Sequence, residues 1–149
     1  MGIRENKLNP AITSSDHFLV RIIFYALSVI VLIIPAIRLG YPILHGDSGV
    51  YITSGVNHFA PVERPVTYGL FVVFSSLGIS LWFVVLVQSF ITTFVLDRFL
   101  IGLLGAKYHP VLLLMTILIL TLTTSIGYFV CQLKPDFFLP LIFLGYYSI

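Results

Sequence analysis

Apolar residues occupy long, nearly uninterrupted runs along the chain, and polar residues collect in the short stretches between them. The first run, residues 22–37, contains no charged side chain and lies between Arg21 and Arg38. Because about 20 apolar helical residues cross the hydrocarbon core of a bilayer, the pattern predicts a first membrane-spanning helix over residues 18–39. We expect the two arginines to extend their charged groups to the interfaces. Pro35 lacks a backbone donor and is expected to kink or end the helix.

The second apolar run, residues 68–96, is uncharged and too long for one crossing, and its weakest point is a cluster of serine and glycine at residues 75–80. The pattern divides the rest of the chain into a juxtamembrane helix (residues 68–80), a second span (81–101), a cytoplasmic turn (102–109), a third span (110–131) and an outer loop that starts a fourth span (132–149). The last apolar run is too short to cross a bilayer. We therefore expect an amino-terminal fragment of a longer protein; the alternative is a small protein whose tail packs against its own helices.

The composition indicates that lipid is the main solvent of the chain. Of the 149 residues, 58% are hydrophobic and 9% are charged, and the mean hydropathy is +1.06, whereas about 25% of residues are charged in a soluble domain. We predict an all-α integral membrane protein, a fragment of a multi-pass helical bundle with an extracytoplasmic loop that carries short interfacial helices. The net charge of +2 comes from scattered residues, which excludes nucleic acid as a partner. A single cysteine, Cys131, has no second cysteine for a disulfide.

The distribution of lysine and arginine predicts the orientation. Cytoplasmic loops are enriched in these residues, so residues 1–17 are expected in the cytoplasm and residues 40–67 on the outer face. A cysteine-poor chain without Asn-X-Ser/Thr sites is compatible with a bacterial inner membrane. The basic residues assigned to the cytoplasmic side are Arg4, Lys7, Arg21, Arg98 and Lys107, and those assigned to the outer side are Arg38, Arg64 and Lys134.

The predicted outer loop contains the sequence YPILHGDSGVY at residues 41–51, in which Asp47 lies between two glycines. An acid followed by Ser and Gly is typical of a helix cap or turn, and we expect Asp47 to cap a short interfacial helix over residues 47–55. Its carboxylate could equally act as a general base toward a hydroxyl group; the two roles are compatible. With His45 and His58 it could hold a divalent cation, although the spacing matches no known ligand motif. The alternative is that both histidines are ordinary solvated loop residues.

Two more polar groups are expected on the same face. The planar guanidinium of Arg64 suits a phosphate group, and the alternatives are an ion pair with Glu63 or contact with lipid headgroups. Lys134 and Asp136 precede the last apolar run, where the helix dipole by itself favours an acid. These residues could therefore serve either a substrate or the local structure.

Few polar residues fall inside the predicted spans, which is evidence against a transporter. Gln88 predicts a hydrogen bond between helices. Asp97 and Arg98 could form a functional pair inside the membrane, but their place near the end of a span favours the cytoplasmic interface.

Three segments, HGDSGVYI at residues 45–52, RPVTYGLF at 64–71 and PDFF at 135–138, resemble the amino-terminal part of GT-C glycosyltransferases, as does the order of predicted helices. These multi-pass enzymes use polyprenyl-phosphate-linked sugars, and the likeness is to the dolichyl-phosphate-mannose-protein mannosyltransferase type. The resemblance implies transfer of a sugar from such a donor to an acceptor glycan, lipid or protein on the extracytoplasmic face. Ser48 stands where many members carry a second acid.

The resemblance also implies roles for individual residues. Asp47 would be the catalytic base or would orient the acceptor, while Arg64 and then Lys134 would stabilise the negative charge that develops on the leaving phosphate. Further substrate-binding candidates are His45, His58, Tyr68 and Asp136. The competing interpretations are a non-enzymatic multi-pass membrane subunit and a transporter fragment.

Overall fold

The computed structural model describes residues 10–60, 65–105 and 108–147, with side chains from residue 18 onward. This part of the chain is all-helical and contains no strand, which confirms the predicted all-α class. The helices are α1 (Pro10–Leu39), α2 (Ser48–Asn57), α3 (Val66–Ser76), α4 (Leu81–Leu104), α5 (Val111–Thr123), α6 (Ile126–Cys131) and α7 (Phe138–Tyr147), with a 3-10 turn at Pro135–Phe137 before α7.

Two of the described helices are long and apolar enough to cross a membrane. They are Phe18–Leu39, within α1, and Leu81–Leu104, which is α4. Both follow the apolar runs from which the first and second spans are predicted. Helix α1 continues through Pro35 to Leu39, so this proline does not end the helix. It lies within the last turns, where its missing N–H removes a single helical hydrogen bond.

The third apolar run does not form one helix. Helix α5 ends at Thr123, Thr124 is extended (φ −128°, ψ 172°), and α6 begins at Ile126. The Thr124 hydroxyl donates to the carbonyl of Leu120 and accepts from the N–H of Ile126 (3.3 Å). Hydroxyl side chains that bond to nearby backbone compete with helical hydrogen bonds. At the break the N–H of Ile126 bonds to the Thr124 hydroxyl, where the sequence predicts a continuous helix over residues 110–131.

The helices form a bundle with two distinct ends. Helix α1 packs against α4, α5 and α6, and α4 also contacts α3 and α7. At a rise of about 1.5 Å per residue, Arg21 and Arg38 lie about 25 Å apart along α1. The end of the bundle near Arg38 and Asp47 is called the Asp47 end, and the end near Arg21 and Asp97 is called the Asp97 end.

An ion pair between half-buried Arg21 and buried Asp97 lies at the Asp97 end. Both carboxylate oxygens of Asp97 accept from Nη2 of Arg21, at 2.9 and 3.0 Å, and the hydroxyl of Tyr108 donates to the same carboxylate. The sequence predicts that Arg21 extends its charge into water and that Asp97 lies at the interface, whereas the structure pairs them and leaves Asp97 only 3% exposed. A buried carboxylate is costly unless it is paired and hydrogen-bonded. The pair therefore joins α1 to α4.

Helices α2 and α3 approach each other closely at two glycines. A Cβ atom on Gly55 would lie 2.3 Å from the carbonyl oxygen of Gly69, and one on Gly69 would lie 2.6 Å from Oγ of Ser54. A contact with backbone cannot be relieved by a change of rotamer. The packing of these two short helices therefore requires glycine at both positions.

We expect Gly55→Ala to destabilise the protein by about 1–3 kcal/mol, because the added methyl group overpacks the contact between α2 and α3. Gly49→Ala is a matched control on α2, since a Cβ there meets nothing within 4 Å. The measurement is the midpoint of thermal unfolding in detergent, which should fall for Gly55→Ala only. Equal midpoints for the two variants would contradict the close contact of α2 with α3.

Candidate functional site

The segment that leaves α1 is paired with the segment that leaves α6. Ile43 and Gln132 form an isolated parallel bridge. The N–H of Ile43 donates to the carbonyl of Cys131 (3.0 Å), and the N–H of Leu133 donates to the carbonyl of Ile43 (3.1 Å). The pairing brings the Asp47 segment and the Lys134–Asp136 segment to the same end of the bundle.

Ser48 locks this pairing with its side chain. Its hydroxyl donates to the carbonyl of Leu133 (2.9 Å) and accepts from the N–H of His45 (2.8 Å). The side chain is 1% exposed, so these bonds are shielded from water. The sequence analysis did not identify this role, although a serine directly after an acid at a helix start is a recognisable signal. A carboxylate at this position would face the Leu133 carbonyl instead of donating to it.

Asp47 occupies the N-cap position of α2, as predicted, but its side chain makes no capping hydrogen bond. Its backbone is α-helical (φ −86°, ψ −12°), unlike the extended conformation from which a cap side chain reaches the N2 or N3 amide. The carbonyl of Asp47 accepts from the N–H groups of Val50 (3.0 Å) and Tyr51 (3.3 Å). Asp47 as a whole residue is half-buried at this end of the bundle.

The two predicted histidines lie at opposite ends of α2. His45 is exposed and its Nδ1 accepts from the N–H of Gly46 (2.7 Å). His58 is exposed at the C-cap, in the left-handed region (φ 52°), about 15 Å from the start of the ten-residue helix. The structure therefore does not bring Asp47 and both histidines together. The described part of the chain contains no group of three His, Cys, Asp or Glu residues that could hold a metal ion.

Tyr68 is buried where α2, α3 and α4 meet. Its hydroxyl accepts from Nε2 of Gln88 (3.1 Å), which also donates to the carbonyl of Gln132 (3.4 Å). These bonds confirm the predicted interhelical role of Gln88. Burial raises the pKa of the Tyr68 phenol above its ordinary value, while the bond from Gln88 acts in the opposite direction. The phenol is therefore protonated at neutral pH and remains a hydrogen-bond donor.

Lys134 and Asp136 flank the start of the 3-10 turn before α7. Lys134 is its N-cap and is half-buried, while Asp136 is exposed in the first turn behind Pro135. The N-terminal side of a helical segment favours a negative charge, which suits the position of Asp136 in the first turn. The lysine and the acid are two residues apart at the start of the turn.

A cavity of about 600 Å³ opens at the Asp47 end between α2, α3 and α7. It brings together two of the predicted residues, Tyr68 and Asp136, and Asp136 carries the one charge among its described lining residues. Asp47 is not part of this lining. It lies one helical turn from Tyr51, and Tyr51 is a lining residue. Arg64 lies outside the described residues. The described lining consists of Tyr51, Pro65, Thr67, Tyr68, Phe71, Pro135, Asp136, Phe138, Leu139 and Ile142.

Four aromatic side chains are among the described residues that line this cavity. The ring of Tyr68 meets that of Tyr51 edge-on at 5.1 Å between centroids, and Phe71 meets Phe138 in the same way at 5.1 Å. Such edge-to-face pairs are favourable beyond the area that they bury. The cavity therefore combines a rigid apolar wall with a carboxylate at its rim.

We expect Ser48→Ala to loosen the pairing of the two segments, because it leaves the buried Leu133 carbonyl and the His45 N–H without the Ser48 hydroxyl, at a cost of about 1–3 kcal/mol. The measurement is amide hydrogen exchange at Ile43 and Leu133, which should accelerate. Thr53→Ala is the control, since the exposed Thr53 hydroxyl bonds only to the Gly49 carbonyl of its own helix (2.7 Å). Unchanged protection at Leu133 in Ser48→Ala would rule out the locking role.

Comparison with known proteins identifies no relative of this chain. Protein-family models, curated proteins and solved structures were each searched, and none matches. The function must therefore be argued from the residues of this chain and their geometry.

Proposed function

We propose that this chain is a multi-pass protein of the bacterial inner membrane, with its N-terminal residues in the cytoplasm and its Asp47 end on the extracytoplasmic face. The surfaces of its two long helices support membrane insertion. Only 22% of the apolar stretch of α1 and 50% of that of α4 is buried inside the protein, whereas a core helix of a soluble protein is covered by its neighbours. Large apolar side chains are also exposed on other helices: Phe74, Leu122, Leu139, Ile142 and Phe143.

We further propose that the protein is a membrane glycosyltransferase that uses a polyprenyl-phosphate-linked sugar. The observation that carries this proposal is the cavity at the Asp47 end, where an aromatic wall that includes Tyr68 meets Asp136. A polyprenyl-phosphate sugar combines an apolar tail with a polar, charged head. Such a molecule needs a site at the lipid boundary whose wall is apolar and whose rim is polar, and the cavity has this form.

The chemistry proposed for the site is a displacement at the anomeric carbon. A hydroxyl oxygen of the acceptor bonds to that carbon, the bond from the carbon to the phosphate oxygen breaks, and the hydroxyl proton passes to a carboxylate. Negative charge then develops on the leaving phosphate. Lys134 and Arg64 are the basic residues proposed to stabilise it, because fixed cations near developing charge lower the barrier.

Two carboxylates compete for the role of base. Asp47 is favoured by the GT-C resemblance and by its partly exposed position at the start of α2. Asp136 is favoured by the cavity, which it lines. The pairing of Ile43 with Gln132 brings the segments that carry the two acids to the same end of the bundle, and of the two only Asp136 lines the cavity.

The test is sugar transfer in membrane vesicles that contain the protein as its gene encodes it, supplied with polyprenyl-phosphate donors that carry a radiolabelled hexose or pentose. The variants are Asp47→Asn and Asp136→Asn. The variant that replaces the base should lower the transfer rate by about 100-fold or more. Thr53→Ala on the exposed side of α2 should keep the wild-type rate. Membrane abundance of every variant is measured in parallel.

The outcomes separate the candidate functions. Loss of transfer in one variant with unchanged abundance identifies the base. Full transfer in both variants removes both acids from the mechanism. A wild-type protein that inserts normally and transfers no sugar from any donor would contradict the enzyme and favour the non-enzymatic membrane subunit.

A further inference from the structure

A second groove lies between α1 and α4 at the Asp97 end, and its volume is about 880 Å³. Its floor is apolar, formed by residues such as Ile22, Ala26 and Ile30 of α1 and Phe90 of α4. Charged side chains line it only near one end, where Arg21, Asp97 and Arg98 meet. The groove is therefore amphipathic along its length.

The charges at this end do not cancel. Arg21 is balanced by Asp97 through their bidentate contact. Arg98 is exposed, and within the described residues no carboxylate lies at ion-pair distance from it. Its guanidinium instead lies 5.0 Å from the centre of the Phe94 ring, another lining residue. Among the described residues that line the groove, one positive charge therefore remains unbalanced.

The length of the groove matches one leaflet of a bilayer. From Arg21 to Ile30 the rise along α1 is about 14 Å, and half of the hydrocarbon core is about 15 Å thick. The charged end therefore falls at the headgroup level when the apolar part lies among acyl chains. An amphiphile with a negative head and a hydrocarbon tail complements the groove in both charge and length.

We propose that this groove binds an anionic phospholipid, with the phosphate at Arg98 and an acyl chain along Ala26 and Phe90. The inference depends on membrane insertion and not on sugar transfer, since the groove lies at the end of the bundle opposite to Asp47. A zwitterionic lipid should bind the groove less tightly, because the cation of its own headgroup is repelled by the charge of Arg98. The bound lipid fills the space between α1 and α4, which contact each other through the Arg21–Asp97 pair at this end.

The test is native mass spectrometry of the protein as its gene encodes it, purified in detergent and titrated with phosphatidylglycerol or with phosphatidylcholine of the same acyl chains. We expect tighter binding of phosphatidylglycerol. One Arg–headgroup interaction corresponds to about a fivefold change in Kd, so Arg98→Gln should weaken phosphatidylglycerol binding by that factor. Arg38→Gln, which removes an exposed arginine at the other end of α1, should leave Kd unchanged.

The apolar part of the groove is tested by Ala26→Phe, which fills it and should abolish the phosphatidylglycerol adduct. Leu122→Phe, an exposed position on α5 outside the groove, is the matched control. Thermal unfolding midpoints confirm that each variant is folded. The proposal would be overturned by equal Kd values for the two lipids, or by equal effects of Arg98→Gln and Arg38→Gln. It would also be overturned by a lipid-free dimer whose interface covers the groove.

Discussion

The backbone pairing of Ile43 with Gln132, locked by the Ser48 hydroxyl, is the contact on which the candidate site depends. Both segments leave apolar helices, where unpaired N–H and C=O groups are costly near lipid. Bonding the two segments to each other satisfies these groups. As a consequence, two acids that are distant in the sequence, Asp47 and Asp136, come to lie at one end of the bundle beside an aromatic cavity.

The two ends of the bundle are held by different interactions. At the Asp97 end a buried carboxylate is paired with Arg21 and accepts from Tyr108, which joins the first long helix to the second. At the Asp47 end the links are neutral: Gln88 bonds to the Tyr68 hydroxyl and to the Gln132 carbonyl. Asp136, which lines the cavity at the Asp47 end, is exposed at the edge of the bundle.

Sequence periodicity and composition predicted the features that depend on local sequence. The uncharged runs led to α1 and α4, the Asp-Ser-Gly stretch located the start of α2, and Gln88 was recognised as an interhelical donor. The break after Thr123, where the N–H of Ile126 bonds to the Thr124 hydroxyl, was missed because the pattern there is strongly apolar. The structure does not bring Asp47 and both histidines together, because α2 separates His45 from His58.

Contacts between distant segments could not be predicted from one sequence. Arg21 and Asp97 are 76 positions apart. Each of them, considered alone, is predicted to be a charged residue at the membrane interface. The same holds for the bond from Ser48 to Leu133, 85 positions away, and hence for the cavity that Asp136 lines. Individual candidates such as Tyr68 could be named, but their grouping required the fold.

The most direct test of the account is photocrosslinking of the intact protein, in membranes, with a polyprenyl-phosphate analogue that carries a diazirine in its first isoprene unit, followed by mapping of the labelled residues. The account predicts labels on the cavity wall at the Asp47 end, on Phe71 of α3 and Leu139 of α7. Labelling confined to the groove between α1 and α4, or no specific label at all, would contradict a donor site at the Asp47 end.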